Sequence, residues 1–213
     1  MKRNKSTWLF MLLVFALPAL GYLLVSWYEG NRKPLPVYGG TREVDGKEET
    51  FRAGDFSFTN QQHQTVTAAA WKNKTVVANY FFTHCPVVCP RMTANLKKIQ
   101  QAYMDNDEVL LTSFSVDPER DSAAQLNWYA RHFGIADNKW QLLTGDKKEL
   151  YRYARNELKI VATDGDGGPE DFIHSESAVL LDKKGRIRGY YNMTKEQETE
   201  KLIKDIKRLN NEN

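Results

Sequence analysis

Residues 75–90, TVVANYFFTHCPVVCP, run from a β-rich apolar stretch directly into the only two cysteines of this 213-residue chain. Thr75–Phe82 is nearly continuous in apolar, β-branched and aromatic side chains, which predicts a strand buried on both faces. From Pro90 to Met104, the residues Met92, Leu96, Ile99 and Tyr103 recur at helical spacing, and proline is tolerated in a first turn. A buried strand handing over to a helix through a cysteine loop places that loop at the carboxyl end of a central strand. Open α/β sheets hold their ligands there.

The flanking sequence repeats the alternation. Glu108–Val116 reads as a second strand closed by Asp117-Pro118, and Asp121 or Ser122 can cap a helix carrying Leu126, Tyr129, Ala130 and Phe133 up to Gly134. Trp140–Leu143 is a short strand, and Asp146 caps a helix through Leu150, Tyr153 and Leu158. Residues 162–171, ATDGDGGPED, form a glycine-rich acidic loop whose glycine and terminal acid do not fit a calcium-binding pattern. Ser177–Leu181 and Arg186–Tyr191 flank the turn Asp182-Lys183-Lys184-Gly185 as a hairpin, and Lys195–Leu209 is a terminal helix. Upstream, Asp55–Thr59 and Thr65–Ala69 predict a small N-terminal hairpin. The expected class is α/β, a mixed sheet flanked by helices.

The N-terminus is of another kind. Trp8–Trp27 carries no charged side chain, and a helix of that length rises about 30 Å, the thickness of a bilayer's hydrocarbon core. Lys2, Arg3 and Lys5 precede it, so the positive-inside rule keeps the N-terminus cytoplasmic and places the rest on the outer face. A cleaved signal peptide would have a shorter apolar region ending in small residues. The expected division is a basic arm (1–7), a transmembrane anchor (8–28), a polar linker (29–53) and one domain (54–213). The chain has 30 Lys+Arg and 27 Asp+Glu; the first 27 residues hold three of the bases, so the exported part is formally neutral. Neutrality without a basic cluster argues against nucleic acid as a partner.

Two thiols with three residues between them leave a disulfide, a redox pair or a soft-metal site. Pro86 and Pro90 each push the residue before them away from helical geometry, which predicts a stiff loop feeding a helix that starts near Pro90. Cys89 would then sit at a helix N-terminus, where backbone N–H groups favour a thiolate. Thiolates select Cu(I), Zn or iron–sulfur clusters, but two sulfurs are too few for a cluster or a structural zinc site. A third ligand has to come from the four histidines. His63 falls in a hairpin turn and His132 in a helix, where ordinary polar roles suffice. His84 adjoins Cys85 as an alternative or transient ligand. His174 stands between the acidic loop and the Ser177 strand.

Tyr80–Pro90 (YFFTHCPVVCP), Ser115–Asp121 (SVDPERD) and a lone His174 ahead of a Leu-Leu-Asp-x-x-Gly hairpin resemble the SCO/SenC family, copper proteins that assist cytochrome c oxidase assembly. The resemblance spans roughly Pro36 to Leu209. It implies a thioredoxin-like fold with an inserted hairpin, an N-terminal membrane anchor, and a copper site, Cu(I) or Cu(II), formed by Cys85, Cys89 and His174. It also implies delivery of copper to the CuA centre of oxidase subunit II or another exported copper protein, or reduction of that partner's cysteines. Asp117 matches a recurring family position and is expected either to support the site from behind the ligands, as is His84, or to be structural, since Asp-Pro also ends a strand. The residue after Pro86 is often acidic in relatives; here it is Val87. The rival readings are a thiol–disulfide oxidoreductase, a peroxidase of related fold, and a structural disulfide in a binding module. Three residues between the cysteines, where thioredoxins have two, and Ser177 where they place a cis-proline both favour metal.

Overall fold

The computed structural model describes residues 5–32, 34–160 and 175–212, and the chain divides into two units, Met1–Pro34 and Leu35–Asn213. The first unit is one helix, α1 (Lys5–Arg32), with Pro18 inside it. Side chains are described there for residues 10–26, and Phe10, Leu13, Phe15 and Leu20 among them are exposed. Among the described residues no helix is long and apolar enough to cross a membrane. The anchor expected over 8–28 is present as a helix, and among the described residues it is not shown to be a membrane span.

In the second unit the elements follow in the order β1 (Thr41–Val44), β2 (Lys47–Thr50), β3 (Ser57–Asn60), β4 (Thr65–Thr67), a 3-10 turn (Ala68–Trp71) and β5 (Thr75–Phe81). Then come α2 (Val88–Ala102), β6 (Val109–Ser115), α3 (Ala123–Phe133), β7 (Trp140–Thr144) and α4 (Lys147–Asn156). The hairpin β8 (Ser177–Leu181) and β9 (Ile187–Asn192) and the helix α5 (Glu196–Asn210) complete it. Seven strands form one sheet in the order β4-β3-β7-β6-β5-β8-β9. β5, β6 and β7 are parallel, while β3, β4, β8 and β9 join antiparallel. This is the mixed α/β sheet the sequence predicts.

Every residue of β5 and β6 is buried, as their continuous apolar runs require of strands covered on both sides. Right-handed crossovers put α2 and α3 on the same face of the sheet. There Leu96, Ile99, Leu126 and Tyr129 pack with Leu202 and Ile206 of α5. The opposite face is closed by α4, the 3-10 turn and Phe51, with Phe56, Trp71, Phe114 and Tyr153 in edge-to-face ring contacts. Each such side chain stabilises the fold by about 1.5–3 kcal/mol on burial.

Two boundaries differ from the sequence reading. The expected linker 29–53 is not free of the domain from Leu35 onward: Leu35 and Phe51 are buried in the two cores, and Tyr38 bridges Ile187. It also holds the hairpin β1–β2, whose polar, exposed strands gave no apolar alternation to read. And α2 begins at Val88 rather than near Pro90, because the first four helical N–H groups need no intrahelical acceptor, so a proline there costs nothing.

Candidate metal centre

β5 ends at Phe81, and the parallel neighbour β6 is locked to it where the Val116 N–H donates to the Phe81 carbonyl (2.9 Å). The chain then turns through Phe82–Val87, with the Cys85 N–H reaching the Phe82 carbonyl (3.4 Å), and enters α2. Val87 at the N-cap offers no side-chain acceptor. The Cys85 sulfur takes that place, accepting the Cys89 N–H at 3.3 Å. The free N–H groups of a helix start, which normally seek a Ser, Asp or anion, here converge on a sulfur.

That geometry splits the two thiols. Burial of Cys85 raises its pKa, but the backbone N–H groups of Cys89, Val87 and Val88 and the Cys89 thiol outweigh it, and the net shift is downward. Cys89, only 5% exposed, is pushed up to about 12. Burial is the main cause, reinforced by the hydrogen bond with Cys85 and by the Cys85 and Asp121 charges. The sequence reading assigned the favoured thiolate to Cys89; the structure gives it to Cys85, because helix N–H groups point back out of the first turn toward the preceding loop. Both cysteines are unbridged.

The sulfurs open into a pocket of about 180 Å³ lined by Phe81, Phe82, Val88, Met92 and, from the strand β8 side, Ser175 and Glu176. His174 lies outside the described residues; its successors Ser175 and Glu176 reach the pocket. Among the described residues no group of three His, Cys, Asp or Glu side chains could hold a metal ion. The donor set fits a soft ion nonetheless: two sulfurs on one turn, one of them already biased toward thiolate, in an apolar, partly open pocket.

Asp117 is not among the residues that line this pocket. Its carboxylate accepts from Arg120 Nε (2.6 Å), and it closes the turn that follows β6. The carboxylate at the loop is Asp121, which the sequence reading offered as a helix cap. Ser122 is the cap, accepting the Gln125 N–H at 3.2 Å. Asp121 is fully buried and accepts Ser115 Oγ (2.6 Å), Thr83 Oγ1 (2.5 Å) and the Thr83 N–H (3.3 Å). Burial raises its pKa despite those hydrogen bonds. His84 lies beside this cluster, its Nδ1 3.1 Å from Thr83 Oγ1 and 3.9 Å from Asp121. His132 is an exposed helix histidine stacked on Trp128 (5.1 Å between centroids), and His63 sits in the β3–β4 turn with φ 60°. The one sequence signal for Asp121 was its place in the Ser115–Asp121 segment; its burial was not readable there.

A family model described as SCO1/SenC matches residues 44–211. The SCO1 protein homolog of Bacillus subtilis (strain 168) is 30% identical over 154 residues, covering 71% of this chain and 79% of the relative. Among solved structures, BsSco, described as a member of the Sco family of cytochrome c oxidase assembly proteins with a disulfide switch, superposes with a TM-score of 0.65 and 28% identity. It covers 76% of this chain and 95% of that one. ScoI of Bradyrhizobium japonicum, solved with copper bound, gives a TM-score of 0.59 at 28% identity and covers 74% of this chain and 99% of that one.

Proposed function

The chain belongs to the SCO1/SenC family, and on that premise we propose that it is a copper-binding protein tethered to a membrane, which delivers copper to, or matures, the CuA centre of cytochrome c oxidase subunit II. The observation that carries the reading is the pair of sulfurs on one loop turn, opening into an apolar pocket that the chain following His174 helps to line. Cys85 and Cys89 would hold the copper as thiolates, and His174 would supply the third donor. Copper is the cargo. Partial exposure of Cys85 and a low coordination number let a partner's ligands replace these one at a time, so the ion passes without release to water. Binding displaces the Cys89 proton, which its pKa of about 12 retains at neutral pH in the absence of metal.

The tether is α1, a 28-residue helix with no charge from Trp8 to Trp27 and with its described apolar side chains exposed. The domain would lie on the outer face, with the basic N-terminal arm cytoplasmic. The full chain should stay with membranes through an alkaline carbonate wash; recovery in the wash would remove the tether from the reading.

Copper stoichiometry on the detergent-purified full chain tests the site. The reduced protein should bind one copper per chain, Cys85→Ser or Cys89→Ser should abolish tight binding, and His174→Ala should weaken Cu(II) binding most. A His174 variant that binds and delivers copper like the wild type would overturn its role as ligand.

One observation favours a second reading, a dedicated thiol–disulfide reductase. An accessible, thiolate-biased Cys85 beside a buried Cys89 is the arrangement of an attacking and a resolving thiol. Cys85 would form a mixed disulfide with one partner sulfur and expel the other as a thiol. Cys89 would then release the reduced partner and leave a Cys85–Cys89 disulfide. Rapid reduction of a partner disulfide by a chain that binds no copper would select this reading.

A further inference from the structure

Asp121 is a wholly buried carboxylate to which the proposed copper chemistry gives no task. Its partners belong to the cysteine loop and to the end of β6, the strand paired with β5. Ser115, the last residue of β6, donates to one oxygen (2.6 Å), and the Thr83 hydroxyl, two residues before Cys85, donates to the other (2.5 Å). The Thr83 N–H lies 3.3 Å from both oxygens, and Gln125 Nε2 of α3 donates to the Thr83 hydroxyl from the far side (3.1 Å). The donors converge on the carboxylate, from α3 by way of Thr83 on one side and from the end of β6 on the other. The only ion-pair geometry Asp121 enters among the described residues is the 3.9 Å approach of His84 Nδ1. A carboxylate retained in such a place, without a lysine or arginine, holds geometry rather than charge balance.

We infer that Asp121 is a positioning residue for the cysteine loop: through Thr83 and Ser115 it fixes the turn that carries Cys85 against the ends of β5 and β6. The inference deepens the proposed function and rests on its reading of Cys85 and Cys89 as the working pair. It extends to His84. The single hydroxyl proton of Thr83 is committed to Asp121, so the imidazole meets that oxygen as an Nδ1–H donor. The neutral ring then carries its lone pair on Nε2.

The test uses the full chain in detergent, without metal, equilibrated with reduced and oxidised glutathione. Protein dithiol and one glutathione disulfide give protein disulfide and two glutathione thiols. Loosening the loop lowers the chance that the two sulfurs meet, so the equilibrium constant for disulfide formation should fall at least threefold in Asp121→Ala and in Thr83→Val. Thr83→Ser, which keeps the hydroxyl, should restore it. The same variants loaded with Cu(II) should shift the thiolate-to-copper absorption band, whereas a merely structural role would lower the thermal midpoint and leave band and equilibrium in place. If Asp121→Ala does not fold, Thr83→Val decides alone. A folded Thr83→Val chain with less than a threefold change overturns the inference. A wild-type chain that takes up no copper would sink the proposed function but not this result, because the glutathione equilibrium needs no metal.

Discussion

At Cys85 and Cys89, two identical side chains four positions apart are made chemically unlike by a single helix start. The sulfur that precedes the helix collects its free N–H groups, and the one inside the first turn is buried in the core cluster that also holds Met92 and Tyr129. In the reduced, metal-free chain at pH 7, iodoacetamide should therefore alkylate Cys85 more than tenfold faster than Cys89, read by fragmentation mass spectrometry of the peptide that holds both. Equal rates would contradict the assigned split. That both cysteines share one turn was legible in their spacing. Which of them carries the thiolate was not, because it depends on whether the helix begins at Val88 or at Pro90. Two residues of register exchange the roles.

Among the elements, α3 and β9 show how local chemistry and packing set different limits. Ser122 closes the N-terminus of α3 through its hydroxyl, and Gly134 ends the helix in left-handed geometry at φ 64°. Ser122→Ala should cost about 1 kcal/mol in urea unfolding, the usual loss for a removed N-cap. In β9 the constraint comes from packing. A Cβ on Gly189 would stand 2.6–2.8 Å from the Tyr191 ring and hydroxyl, and that side chain is buried and donates to Asp205. Gly189→Ala should destabilise by about 1–3 kcal/mol as the ring is forced aside, and a neutral result would show that Tyr191 can swing away freely. The helix and most strands were legible because their apolar periodicity is strong. The hairpin β1–β2 was not, since its exposed residues carry charge on both faces.

For the whole domain, its first and last described residues are joined by one buried arginine. Arg188, 3% exposed, donates to the Leu35 and Pro36 carbonyls and pairs with Asp182 and Glu212, whose other oxygen accepts the Leu35 N–H. Arg188→Ala takes one donor from each of two carboxylates and two carbonyls and should cost about 3–5 kcal/mol, measured by urea unfolding. Asp182 adds a pH signature. Burial raises its pKa, but the Arg186 and Arg188 hydrogen bonds bring it below the ordinary value. A depressed folded-state pKa contributes stability that is present above the unfolded value near 4 and lost as pH falls through the folded one. The stability gap between wild type and Asp182→Asn should thus be full at pH 7 and shrink below about pH 4; a constant gap would show that Asp182 is not held by these arginines. The sequence by itself determined the alternating elements, the two-sided burial of β5 and the place of two cysteines on one loop directly after that strand, because periodicity and spacing are written residue by residue. Only the tertiary structure decided that Leu35–Ala53 belongs to the domain, that Asp121 rather than Asp117 stands behind the cysteine loop, and that Cys85 is the favoured thiolate. Each of these depends on groups far apart in the chain, or on a helix start that no local pattern marks, meeting at hydrogen-bond distance.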